Sequence, residues 1–197
     1  MYRIYHTEGV VLGSRAVGEA SMIFSLFTRE LGILHARAQG VRETRSKLRY
    51  SLQDCSLASF DLVRGGNGWR VTSAIGKENL AAFPGEKRKE ALGVEKRVAT
   101  LLLRLFRGEE KDISLFETII SSFRALKNES VSARATKDLE ALLVMRILHR
   151  LGYFGKDEML SPFLESELAE PQTLASFAPV RTRAIRRINQ SLKETQL

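Results

Sequence analysis

The chain has 197 residues, 44% of them hydrophobic and 27% charged, which is the make-up of a folded protein of one large or two small domains and excludes a collagen-like or wholly disordered chain. Lys and Arg total 31 against 23 Asp and Glu, a formal charge of +8 that favours polyanions: nucleic acid, an acidic protein tail or an anionic membrane surface. The single cysteine, Cys55, excludes an internal disulfide framework and a multi-cysteine zinc site, and no apolar run approaches the ~20 residues of a membrane-spanning helix. The opening MYRIYHTEGVVLGSR reaches charge within three residues and has no apolar leader core, so the expectation is a cytoplasmic protein.

Up to about residue 78 the pattern is that of strands. EGVVLGS (8–14) is a short apolar run stopped by small residues, and SMIFSLFT (21–28) sets Met22, Phe24 and Leu26 on one face. ILHARAQ (33–39) alternates, with Leu34, Ala36 and Ala38 on one side. Ile33, His35, Arg37 and Gln39 fall on the other, a face expected to meet solvent or ligand. CSLASFDLV (55–63) and WRVTSAI (69–75) flank Arg64-Gly65-Gly66-Asn67-Gly68, which is hairpin chemistry. Five short strands predict a small antiparallel barrel. SH3-like and oligonucleotide/oligosaccharide-binding (OB) barrels both fit the number, and the long connection from Gly40 to Ser51 favours the OB pattern.

From Pro84 the period becomes 3.6. Ala91, Val94, Val98, Leu101, Leu102 and Leu105 stripe one helix, closed by Gly108. Phe116, Ile119, Ile120, Phe123 and Leu126 stripe a second. Leu139, Leu142, Leu143, Ile147 and Leu151 stripe a third, with Gly152 suited to its C-terminal cap. Pro162, Pro171 and Pro179 punctuate the next stretch, and a basic helix is expected from about Thr182 to Lys193. Phe83-Pro84-Gly85 is the natural boundary. The expected fold is α+β: a five-stranded antiparallel OB barrel over 1–80, then an all-α domain over 81–197.

Catalytic chemistry has no constellation here. His6, His35 and His149 are scattered, there is no GxxxxGK[ST] phosphate loop, and Cys55 reads as a buried inert thiol within a strand. The expectation is a protein that is not an enzyme and needs no metal or cofactor. The informative feature is the charge patch. Arg37, Arg42, Arg45, Lys47 and Arg49 oppose only Glu43 between residues 37 and 49, a pattern suited to neutralising phosphates, and Arg15 in the 13–20 loop would extend it. His35, Tyr50 and Trp69 are the candidates for stacking on bases, with Phe60 as a further one, and Tyr50, Trp69 and Phe60 all suit the core as well. A second cluster, Arg181, Arg183, Arg186, Arg187 and Lys193, lies near the C-terminus. Two other functions fit the same charge: an RNA-binding OB protein, or an adaptor that binds acidic protein segments without nucleic acid.

The order of these pieces resembles the RecO family of DNA repair and recombination mediators. The matching residues are Glu8-Gly9-Val10-Val11-Leu12, Arg15 with Gly18-Glu19, Leu26-Phe27-Thr28-Arg29-Glu30-Leu31-Gly32, Ala38-Gln39-Gly40-Val41-Arg42 and Arg45-Ser46-Lys47 leading to Leu52-Gln53. Met145-Arg146-Ile147-Leu148-His149-Arg150-Leu151-Gly152-Tyr153 is similar to the family's helix ending in Leu-Gly. The resemblance covers about residues 1–153. It implies an N-terminal OB domain, a helical domain, binding of single- and double-stranded DNA, strand annealing, and loading of the RecA recombinase on DNA coated by single-strand-binding protein (SSB). It also implies a bacterial, nucleoid-associated setting, and RecR and the acidic, aromatic-ended SSB tail as partners. An apolar pocket rimmed by cations would take such a tail, and Arg146, Arg150, Arg183, Arg186 and Arg187 are candidates for the rim. Many members carry a four-cysteine zinc module where this chain has Phe154 to Pro179 without cysteine, so no metal is expected.

Overall fold

The computed structural model describes residues 3–81, 88–106, 108–127, 132–165 and 171–194, which leaves the Phe83-Pro84-Gly85 boundary outside the described residues. The chain divides into two compact units, Met1–Ala82 with Ala99–Phe116, and Phe83–Val98 with Glu117–Leu197.

In the first unit, β1 (Ile4–Val17), β2 (Ser21–Thr28), β3 (Gly32–Ala38), β4 (Ser56–Gly65) and β5 (Gly68–Asn79) close into a barrel in the order β1-β2-β3-β5-β4. Together with the short helix α1 (Leu48–Ser51) between β3 and β4, this is the OB-fold topology. β1 is long because it serves two neighbours: Ile4 to Val10 pair with β4, and Gly9 to Val17 pair with β2. The strands are therefore not all short, as expected from sequence; β1 and β5 run to 14 and 12 residues. A parallel pairing, Ala36 with Trp69 and Arg37 with Arg70, joins β3 to β5 and closes the barrel. Gly65 pairs with Gly68 across the Gly66-Asn67 turn, as the glycine-rich hairpin predicts.

Inward positions fill the barrel. Phe24 and Leu26 of β2, Leu34 and Ala36 of β3, Phe60 and Leu62 of β4 and Trp69 and Val71 of β5 form one buried cluster. Each large side chain there contributes on the order of 1.5–3 kcal/mol by leaving water. Two positions depart from the sequence expectation. Ile33, expected on the open face of β3, is buried. It pairs with Phe27, whose ring packs 5.7 Å from Phe106 and 5.5 Å from Phe116, so this end of the outer face is covered. Cys55 is buried but precedes β4 rather than lying within a strand. Its φ is 59°, its N–H donates to the Val11 carbonyl, and its own carbonyl accepts from Leu80.

The helices are α2 (Arg88–Leu105), α3 (Ile113–Leu126), α4 (Ala133–Arg150), α5 (Pro162–Glu165), α6 (Pro171–Phe177) and α7 (Arg181–Glu194). In the second unit α4 is the hub, in contact with α5, α6 and α7. Ser132 caps its start by accepting from the Ala135 N–H. Its end is a Schellman motif: Gly152 has φ +79°, its N–H donates to His149, and the Tyr153 N–H reaches Leu148. Among the described residues no helix is long and apolar enough to cross a membrane.

Candidate nucleic-acid interface

Period-two alternation turns Ile23 and Ser25 of β2 and His35 and Arg37 of β3 away from the core. On β1 a one-residue shift between Val11 and Gly13 re-aims the strand, so that Gly13 pairs with Ser25 and Arg15 with Ile23. The consequence is a row across four strands: Arg15 beside Ile23, Ile23 beside Arg37, Arg37 beside Arg70. The next row carries Gly13, Ser25 and His35, and the Ser25 hydroxyl lies 3.0 Å from His35 Nδ1. Arg37 Nη2 donates to the Ser21 hydroxyl at 3.3 Å, which steadies the guanidinium along the face.

Of these residues Gly13, Arg15, Ile23, Ser25, His35 and Arg37 line a cavity of about 700 Å³, with Arg70 next to Arg37 but outside the lining. Arg15, Ile23, His35 and Arg37 form its sheet wall, Asn67 and Trp69 its hairpin edge, and Leu103 of α2 its far side. Trp69 is only 6% exposed. Its ring meets Tyr5 edge-on at 5.0 Å and carries the Arg64 guanidinium at 5.4 Å, and its indole N–H donates to Glu109 at 2.8 Å. A cationic row beside a concave wall with an aromatic margin can take a phosphate backbone and hold it in one direction.

Of the residues singled out from sequence, Arg15, His35, Arg37 and Trp69 come together in this cavity. Arg42, Arg45, Lys47, Arg49 and Tyr50 lie on the connection and on α1, outside its lining. Arg42 fastens that connection to the β1–β2 turn: its N–H reaches the Ala20 carbonyl and its guanidinium the Gly18 carbonyl, each at 3.3 Å. Arg45, Lys47 and Arg49 are exposed, and Tyr50 is 77% exposed. Phe60 is core. Arg70 and Leu103 escaped the sequence reading. Arg70 alternates outward beside the buried Trp69, but only the β3–β5 pairing brings it to Arg37.

In the second unit the arginines are largely engaged. Arg146 donates to the Phe163 carbonyl at 2.7 Å, and burial pulls its pKa down to about 10. Arg183 grips Asp157 at 2.9 Å, while Arg187 lies 3.9 Å from the same carboxylate and 5.9 Å from the centre of the Phe154 ring. Burial by itself would raise the Asp157 carboxyl. The hydrogen bond and charge of Arg183, the Met159 N–H and the Arg187 charge outweigh it and hold Asp157 below its usual range. Arg150 and Arg186 are exposed. A second cavity, about 600 Å³, lies among α2, α4 and α7, with Ala141, Val144, Ile185 and Ile188 as apolar lining and Arg97, Lys137 and Arg181 among its charged residues. None of the five arginines suggested as a rim lines it. Among the described residues no cluster of His, Cys, Asp and Glu is placed to hold a metal ion.

The family model for the N-terminal region of recombination protein O matches residues 1–80. The DNA repair protein RecO of Heliobacterium modesticaldum is 32% identical over 151 residues, 77% of this chain and 52% of that protein. The RecO of Rubrobacter xylanophilus is 34% identical over 86 residues, 44% of this chain and 34% of that protein. The RecO of Caldanaerobacter subterraneus is 25% identical over 170 residues, 83% of this chain and 68% of that protein. The chain spans about half the length of the curated relatives it matches. With an OB barrel over the stretch that the family model matches, and curated relatives whose similarity runs on past it, residues 1–80 match the N-terminal region of recombination protein O and the chain as a whole is similar to DNA repair proteins named RecO.

Proposed function

We propose that this chain is a DNA repair and recombination mediator that binds single- and double-stranded DNA, anneals complementary strands and assists recombinase loading, without catalytic chemistry of its own. The observation that carries the reading is the Arg15–Ile23–Arg37–Arg70 row beside the barrel cavity. Three guanidiniums on one sheet face neutralise phosphates irrespective of sequence, and the apolar Ile23 between them leaves room for sugar and base. Screening two backbones with one cationic surface lowers their mutual repulsion, which is how a protein without chemistry promotes pairing. The exposed Arg42, Arg45, Lys47 and Arg49 extend the surface beyond the cavity.

The proposed partners are RecR, the RecA recombinase indirectly, and the acidic tail of single-strand-binding protein. For the tail, the cavity among α2, α4 and α7 offers an apolar floor of Ala141, Val144, Ile185 and Ile188 for an aromatic end and Lys137 for an acidic stem, beside Arg97 and Arg181, which an incoming carboxylate would share with Glu140 and Asp138.

The test is a salt titration of binding to a labelled single-stranded oligonucleotide, repeated with matched RNA. The expected result is tight DNA binding with a steep fall of log K against log salt. Arg15→Ala with Arg37→Ala, and separately Arg42→Ala with Arg45→Ala, should flatten the slope by roughly 0.7 per lost single-strand phosphate contact. No DNA binding at low salt would replace this reading with an adaptor for acidic proteins. A clear preference for RNA would move it to RNA processing.

A further inference from the structure

At the margin of the barrel cavity, Glu109 occupies two donors at once. One carboxylate oxygen accepts from Arg64 Nη1 at 3.0 Å and the other from the Trp69 indole N–H at 2.8 Å. The Arg64 guanidinium also stands 5.4 Å over the Trp69 ring, so cation and indole are held as one piece. A guanidinium and a fixed neutral N–H converging on a pair of anionic oxygens form a donor set that recognises a carboxylate or a phosphate equally well. The Arg64 side chain is 59% exposed and the Glu109 side chain 35% exposed, so an incoming oxygen reaches the site and the carboxylate has water to move into. A carboxylate kept beside a surface for polyanions works against binding unless it leaves when the ligand arrives.

We propose that Arg64 and the Trp69 N–H form a phosphate subsite for single-stranded nucleic acid, that Glu109 is its internal occupant, and that a backbone phosphate displaces it. The inference rests on the nucleic-acid reading of the cavity and adds one contact to it. The exchange keeps the Trp69 N–H satisfied in both states, so no buried donor is left bare. It also selects for polymers. An isolated phosphate must compete with a carboxylate tethered at high effective concentration, whereas a phosphate in a strand already held by Arg15, Arg37 and Arg70 arrives tethered too.

The chain itself suffices for the test, because Trp69 is its single tryptophan and its emission reports the subsite directly. Glu109→Gln keeps an acceptor for the indole and removes the charge. It should tighten binding of a short oligothymidine by roughly threefold and steepen the log K–log salt slope by about 0.7. Arg64→Ala should weaken binding and flatten the slope to a similar extent, and the double variant should behave as Arg64→Ala. Saturating oligonucleotide should shift the Trp69 emission of the wild type and much less that of Arg64→Ala, with far-UV circular dichroism confirming that each variant is folded. If Arg15→Ala with Arg37→Ala weakens binding while Glu109→Gln and Arg64→Ala match the wild type, the subsite is overturned and the cavity stands. If Arg15→Ala with Arg37→Ala leaves binding intact, the cavity reading itself fails. A gain from Glu109→Gln that persists without Arg64 is simple charge repulsion and also overturns the subsite.

Discussion

Arg37 of β3 stands directly beside Arg70 of β5 in the parallel pairing that closes the barrel, two cationic positions about one interstrand spacing, ~4.8 Å, apart. Like charges opposite one another on a sheet destabilise it, by about 0.2–1 kcal/mol. A barrel selected for stability alone would not carry this pair, and an anion lying across it relieves the repulsion. Arg70→Thr is therefore expected to raise the urea midpoint by the equivalent of a few tenths of a kcal/mol and at the same time to weaken binding to single-stranded DNA. Inorganic sulfate should stabilise the wild type more than the variant. A variant that loses stability, or that binds DNA as the wild type does, would deny the pair this role.

Gly32 opens β3 at φ +67°, and a Cβ there would run into the backbone of Glu110. Backbone is not free to step aside as a side-chain tip is, so both the dihedral and the space require glycine. The turn before it is tied by the Thr28 hydroxyl, which donates to the Gly32 carbonyl and accepts from the Leu31 N–H. Gly32→Ala should cost at least about 1–3 kcal/mol in denaturant unfolding. Because Glu110 adjoins Glu109, the same change should disturb the hydrogen bond to Trp69, and the emission of that tryptophan should report it in the folded variant.

The barrel was legible because its signals are local. The alternation in SMIFSLFT places Phe24 and Leu26 inward, and β2 spans those very residues, while the glycines around Asn67 fix the hairpin. What escaped were the long-range pairings. Nothing near Arg70 in sequence announces that it will sit beside Arg37, 33 positions earlier, because a parallel closure is decided by the whole barrel. Ile33 looked like part of an open face because Phe106, just past α2, and Phe116 of α3, which cover its partner Phe27, come from far along the chain. The C-terminal arginines read as one charged cluster. The acidic partners Asp138 and Asp157 lie 43 and 26 residues from Arg181 and Arg183, so only the packed helices reveal that these two charges are already matched.

Asp157 joins α7 to the segment between α4 and α5 through Arg183 and Arg187, in the interval where family members with a zinc module place their cysteines. Its folded-state carboxyl is held below the usual range, so the pair contributes stability that is fully present above the unfolded value near 4. That stability is lost as pH falls through the lower folded value. Asp157→Asn should lower the unfolding free energy by roughly 1–2 kcal/mol at neutral pH, a value discounted for the half-exposed Arg183. The difference between variant and wild type should shrink in strong acid. A constant difference from pH 7 down to pH 3 would place the effect in packing instead of charge.

Tyr50 and Trp69 are both aromatic and both near cations, yet they call for opposite experiments. Trp69 is packed against Tyr5 and under Arg64, so its faces are taken, whereas Tyr50 stands 77% exposed on α1 with Lys47 and Arg49 beside it in the chain. An exposed ring offers a base a stacking partner without touching a phosphate, a contribution of about 1–3 kcal/mol per base. Tyr50→Ala should therefore weaken binding to single-stranded DNA while leaving the salt slope unchanged, because no counterion-releasing charge is removed. Duplex DNA keeps its bases stacked inside, so its affinity should not move. Loss of duplex binding in equal measure would mean that Tyr50 orders the basic connection, and that the effect passes through Arg45, Lys47 and Arg49.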